Sequence, residues 1–129
     1  MFRTNYGMRC RRRRKLIGFL EPCLLVLLLK QDAHGYQLLN DLPTLGIDVE
    51  AYDPSVIYRA LRELEMDGWV TSYEGNESQG PQRRMYHLTA DGKDYLEAWI
   101  KDLRYSKDEL ERIIRFYEEE QKKLREKEA

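Results

Sequence analysis

Cysteine, histidine and proline are scarce in these 129 residues, with two, two and four copies. Cys10 and Cys23 are too few for a disulfide framework, and neither lies in a CxxC or Cys/His cluster, which fits a reducing, cytoplasmic setting. The only histidines are His34 and His87, and no nucleophile motif, phosphate-binding loop or metal-ligand spacing accompanies them. The chain therefore reads as no enzyme, with no cofactor and no metal. Long hydrophobic runs are also missing: Leu24 to Leu29 is too short to cross a bilayer. The basic run before it has the outline of an export signal, but Glu21-Pro22 interrupts the apolar stretch and no small-residue cleavage pattern follows. No membrane association is expected.

What the chain has in quantity is charge, 35% of residues, beside 42% hydrophobic residues. That pairing suits one compact domain attached to long solvated helices, and the length is too small for two well-cored domains. The net charge of −1 hides an asymmetry. Of 22 basic side chains, seven precede Leu16 (Arg3, Arg9, Arg11, Arg12, Arg13, Arg14 and Lys15), with no acid among them. The remaining 15 stand against all 23 acids, a balance of −8. A generally basic protein that coats nucleic acid is excluded, so any such contact must come from a few placed residues and the arm.

Along the chain, Glu21-Pro22 starts a first helix that runs to about Lys30. It is apolar on nearly every side, which predicts burial on all faces. Asp32-Ala33-His34-Gly35 reads as a turn into a second helix carrying Tyr36, Leu38, Leu39 and Leu42, ended by Pro43 and Gly46. Asp53-Pro54 supplies the N-cap and first position of a third helix, closed after Asp67 by Gly68. Trp69 to Tyr73 and Arg84 to Leu88 have strand composition, joined by a polar tip from Glu74 to Gln82. Thr89 caps a final helix reaching about Lys127, with Gly92 as its early weak point. This order predicts a mainly α fold with a small β-hairpin (α+β): a winged helix-turn-helix with a long C-terminal dimerisation helix. The divisions are a basic arm over 1–20, a winged-helix DNA-binding domain over 21–90 and the C-terminal helix over 91–129.

In the third helix Ile57, Ala60, Leu61 and Leu64 fall at core spacing, and Ser55, Tyr58, Arg59 and Arg62 share the other side. The second helix of a helix-turn-helix enters the major groove by its N-terminal part. There arginine can pair with guanine or phosphate, hydroxyls can reach phosphate, and the helix N-terminus favours an anion. By itself this face is more readily an ordinary solvated one, carrying Glu63 and Asp67 as well. The hairpin shifts the balance, because Gln82, Arg83 and Arg84 would lie along the DNA backbone as a wing. Arg11, Arg12, Arg13, Arg14 and Lys15 can track phosphates or enter a minor groove, or can simply be a solvated terminus.

In the last helix Leu96, Leu103, Leu110, Tyr117 and Leu124 recur every seven residues. Trp99, Ile100, Ile113 and Ile114 fill a second column, interrupted by Ser106, Lys107, Glu120 and Gln121. Such columns make a helix-pairing seam, and the expected homodimer interface comprises Leu96, Trp99, Ile100, Leu103, Leu110, Ile114 and Tyr117. The alternative is packing back on the first helix of the same chain, and Leu96 to Leu103 are expected to do some of each. Glu118 with Lys122 and Glu119 with Lys123 are expected as i,i+4 pairs on the outer face.

Taken together, these residues resemble the PadR-like transcriptional regulators, from roughly Phe19 to the end of the chain. The resemblance rests on His34-Gly35-Tyr36, on Pro54-Ser55-Val56-Ile57-Tyr58-Arg59-Ala60-Leu61, and on Leu64-Glu65 with Asp67-Gly68. It continues through Glu77-Ser78-Gln79-Gly80-Pro81 and Arg83-Arg84-Met85-Tyr86 to Leu88-Thr89 and Gly92. It implies a winged-helix dimer that usually represses transcription at an operator in double-stranded DNA, with Ser55, Tyr58, Arg59 and the Arg83-Arg84 wing in contact. Some relatives bind phenolic acids or planar drugs between protomers, which makes Trp99, Ile100 and Leu103 the candidate pocket for a small apolar or aromatic effector. Arg59 stands where many relatives have proline, Leu103 where a drug-binding relative has tryptophan, and the basic arm is unusually long. A protein-protein interaction module on the same fold, without DNA binding, is the rival reading, favoured by the acidity beyond the arm.

Overall fold

The computed structural model describes residues 18–47, 53–75 and 84–128, which fall into two units, Met1–Leu96 and Glu97–Ala129. In the first unit, helix α1 (Leu20–Lys30) begins with Glu21 and Pro22 in its first turn, where an acid and a missing N–H are both tolerated. Leu24, Leu25 and Leu28 are buried, but Leu29 is 55% exposed and Val26 and Leu27 are half-covered. The expectation of burial on every face is therefore corrected. One stripe faces the core, and a domain this small cannot wrap a helix completely.

Strand β1 (Ala33–His34) corrects a second expectation, the turn that the sequence predicts at these residues. Two residues carry no periodicity; they are extended because they pair with a strand 50 residues later, Ala33 opposite Tyr86 and His34 opposite Met85. Helix α2 (Gly35–Asp41) follows, then a 3-10 turn (Leu42–Leu45) that contains Pro43 and ends on Gly46 at φ +85°. Helix α3 (Pro54–Met66) has Asp53 as its N-cap, and Gly68 closes the chain reversal after it at φ +86°, in the left-handed region that glycine enters without strain. Ile57, Leu61 and Leu64 of α3 are fully buried with Leu24, Leu25, Leu38, Leu42 and Val70, and they form the core as the spacing predicts.

Strands β2 (Val70–Glu74) and β3 (Arg84–Leu88) pair antiparallel, from Val70 opposite Leu88 to Glu74 opposite Arg84. The sheet order β1-β3-β2 puts β3 in the centre. Val70, Tyr86 and Leu88 face inward, while Thr71, Tyr73 and His87 face out. Helix α4 (Ala90–Glu128) starts at Thr89, whose hydroxyl accepts the Gly92 N–H at 2.9 Å and donates to the Gly68 carbonyl at 2.8 Å. The predicted cap thus also joins the start of α4 to the end of α3.

On the outer face of the sheet, Asp32 gathers two partners from the hairpin. One carboxylate oxygen lies 2.8 Å from His87 Nδ1, and the other accepts the Tyr73 hydroxyl at 2.7 Å. The His87 hydrogen bond, with a smaller contribution from Tyr73, holds the Asp32 carboxyl below its usual range despite partial burial. A carboxyl whose folded-state pKa is depressed contributes stability above its unfolded value and loses it as pH falls through the folded one. Chemical denaturation of wild type and Asp32→Asn should therefore differ most near neutrality and converge in acid. For an exposed pair the difference is on the order of 0.2–1 kcal/mol. A gap that stayed constant or widened in acid would contradict this role.

Candidate nucleic-acid interface

The exposed side of α3 follows from the positions its core residues leave free. With Ile57, Leu61 and Leu64 inward, Ser55, Arg59 and Arg62 fall four and three residues apart on one solvent-facing stripe, and all three are exposed. The start of this helix is occupied by its own cap. Asp53 Oδ1 accepts the Ser55 N–H at 3.0 Å, and the Asp53 carbonyl accepts the Val56 N–H at 2.9 Å. The Ser55 hydrogen bond draws the Asp53 carboxyl below its ordinary range, with a smaller pull from the Arg59 charge. This modifies the expectation that the helix N-terminus receives a phosphate. Asp53 already fills that place, so an anion is left to the side chains.

Tyr58 shares the stripe but is half-buried, and burial pushes its hydroxyl pKa up. Its ring lies over Gly35 at the start of α2, where a Cβ would stand 2.5 Å from Cε1 and 3.2 Å from Cδ1. A side chain at position 35 would therefore displace the Tyr58 ring, a close approach that the sequence could not display. Beside it, the His34 and Tyr36 rings stack with centroids 5.2 Å apart and planes at 13°.

The hairpin root abuts the other end of α3. Arg84, read as a wing contact, is half-buried, and its Nε donates to Ser72 Oγ at 3.1 Å. The Ser72 hydroxyl in turn donates to Glu65 Oε2 at 2.6 Å. Beneath them, Tyr86 is 4% exposed; burial foremost, then the Glu65 charge, raises its hydroxyl pKa, with Arg84 and Arg62 opposing. Gln82 and Arg83 of the expected wing, and Arg11, Arg12, Arg13, Arg14 and Lys15 of the arm, lie outside the described residues.

The residues expected at a dimer interface divide within α4. Leu96 is 4% exposed and belongs to the core of the first unit, so its side chain is spent within its own chain and is withdrawn from the seam. Trp99, Ile100 and Leu103 are half-covered, and Leu110, Ile114, Tyr117 and Leu124 are exposed, as are Ile113 and Phe116. The i,i+4 expectation is partly replaced: Lys123 pairs with Glu120 at 3.4 Å rather than Glu119, and Lys107 lies 4.0 Å from Glu111. Among the described residues no group of acids, histidines and cysteines could hold a metal, and no helix is long and apolar enough to cross a membrane.

Residues 24–98, more than half of the chain, match the family described as the transcriptional regulator PadR-like family. The chain belongs to the PadR-like family. Its members are transcriptional regulators, not enzymes. A PadR family transcriptional regulator from Eggerthella lenta superposes with a TM-score of 0.69 at 25% identity, covering 86% of this chain and 92% of the other. A PadR family regulator from Clostridium difficile gives 0.63 at 27%, covering 74% and 98%. Bacillus subtilis PadR, solved in complex with operator DNA, gives 0.52 at 28%, covering 63% and 46%. Of the PadR-like motifs, the structure brings His34-Gly35-Tyr36, at the junction of β1 and α2, against Tyr58 of α3. It also sets Leu64-Glu65 beside the hairpin, and Thr89 and Gly92 against the α3–β2 junction. The sequence does not mark Glu65 and Ser72 as site residues. A polar pair separated by seven residues across a strand boundary gives no periodic signal.

Proposed function

We propose that this PadR-like chain is a cytoplasmic homodimer that binds an operator in double-stranded DNA sequence-specifically and represses transcription until a small-molecule or other signal releases it. The observation that carries the reading is the exposed Ser55, Arg59 and Arg62 stripe on a capped helix whose far end abuts the wing root. In it, Arg59 and Arg62 take base edges or phosphates, Ser55 and the Tyr58 hydroxyl take phosphates, and Gln82 and Arg83 run along the backbone. The arm from Arg11 to Lys15 adds phosphate contacts. Support for the partner comes from Bacillus subtilis PadR, a relative at 28% identity solved with operator DNA.

The half-covered or exposed apolar residues Trp99, Ile100, Leu103, Leu110, Ile114 and Tyr117 of α4 form the dimer seam. Trp99, Ile100 and Leu103 line the side of it where an apolar or aromatic effector would lodge. An interaction module without DNA is favoured by one observation, the −8 charge balance outside the arm. Selection from a random duplex pool separates the two readings. The DNA reading predicts an enriched, two-fold symmetric site, and predicts that Arg59→Ala binds it about 10- to 100-fold more weakly, the range of a lost bidentate base contact. A pool that never enriches supports the interaction module.

A further inference from the structure

Arg84 is the one wing arginine whose surroundings are described, and they are not those of a free cation. The β2–β3 register sets Ser72 opposite Tyr86 and Arg84 opposite Glu74, so Ser72 and Arg84 are diagonal neighbours on the inward side of the ladder. A serine hydroxyl has one hydrogen and two lone pairs. Here the hydrogen goes to Glu65 at 2.6 Å and a lone pair accepts Arg84 Nε–H at 3.1 Å. Donating its hydrogen to the carboxylate leaves the hydroxyl oxygen a better acceptor for the Nε–H, so the two bonds support each other. Glu65 sits in the last turn of α3, so the chain of bonds runs from the reading helix, through β2, to the first residue of β3. Moving Arg84 Nε out to a phosphate would break it and leave the half-buried Ser72 oxygen without its donor.

We propose that Arg84 is a positioning residue and not a phosphate contact: the relay Arg84–Ser72–Glu65 fixes the wing root to the recognition helix, so that helix and wing meet DNA in one register. For its functional consequence this rests on the DNA-binding reading above. The relay requires an N–H at the Nε position, and it does not require a long-reaching positive charge.

That requirement gives a test, because glutamine places its amide nitrogen the same number of bonds from the backbone as arginine Nε. The full-length chain is titrated with its selected duplex over a salt series as wild type, Arg84→Gln, Arg84→Ala and Ser72→Ala. The relay predicts that Arg84→Gln binds within about twofold of wild type, that both alanine variants bind about tenfold more weakly, and that all keep the wild-type salt slope. If Arg84→Gln is as weak as Arg84→Ala and its log-log salt slope falls by about 0.9, the value of one released counterion, Arg84 is a phosphate contact and the proposal is wrong. Hydrogen exchange without DNA keeps the relay testable by itself. Ser72→Ala must speed exchange of the β3 amides while Arg84→Gln does not, and equal exchange in all variants overturns the relay. Should wild type bind no duplex, the DNA reading alone fails and the exchange result decides the relay.

Discussion

Gly92→Ala is expected to destabilise the chain by about 1–3 kcal/mol, the usual penalty of overpacking, although helix propensity alone predicts a gain of about 1 kcal/mol. Propensity loses because of what lies against this first turn of α4. A Cβ at position 92 would overlap the Trp69 carbonyl oxygen and stand 2.7 Å from Leu88 Cδ1. The leucine tip can move, but the carbonyl cannot. It accepts the Thr89 N–H at 3.1 Å, it lies 3.1 Å from the Thr89 hydroxyl, and it belongs to the residue that leads into β2. Shifting it would break the junction that joins α3, the hairpin and α4. A thermal melt should show a midpoint lower by roughly 5–20 °C for a unit of this size. An unchanged or raised midpoint would mean that the approach of α4 to Trp69 is looser than described.

The second large effect concerns assembly. With the proposed α4 seam, Leu103→Glu together with Leu110→Glu should give monomers by light scattering and abolish binding to the proposed operator. Four leucines are lost across the pair, each contributing about 1.5–3 kcal/mol when fully buried, and Leu103 somewhat less because it is already half-covered. Even half of that total, on the order of 4 kcal/mol, weakens association about a thousandfold, before the cost of burying carboxylates is counted. Tyr105→Glu is the control. Tyr105 is 65% exposed but lies on the side of the helix away from the Leu103–Leu110 column, so the variant should remain dimeric. A dimeric double variant would place the seam elsewhere.

The parts of this fold that were legible in the sequence are those encoded within a few residues. Asp53-Pro54, Gly68 and Thr89 mark the ends of their elements because caps and left-handed turns are local chemistry, and the structure keeps each in that role. The strand β3 and the core stripe of α3 were likewise readable from composition and period. What escaped was decided by distant parts of the chain. Ala33-His34 is a strand because β3 lies beside it, Gly35 lies against the Tyr58 ring, and Gly92 answers to the Trp69 carbonyl. Leu96 shows the limit of periodicity most clearly. It starts a perfect seven-residue column, yet it is buried in the first unit, because a repeat cannot say which partner covers it. Among the candidate contacts, Ser55, Arg59 and Arg62 were readable as the complement of the core stripe. The partial burial of Tyr58 and the engagement of Arg84 with Ser72 were not, since both depend on neighbours from other elements.

The decisive measurement is the affinity of the purified protein for its selected duplex and for a scrambled duplex of equal length, across salt concentrations, with wild type and Arg59→Ala. Wild type should prefer the selected duplex, and its affinity should fall with salt by about 0.9 log units per phosphate neutralised for each tenfold increase. Arg59→Ala should lose most of that preference while still binding both duplexes in a salt-dependent way. Equal affinity of wild type for the two duplexes, left unchanged by Arg59→Ala, would contradict the claim that this helix reads DNA.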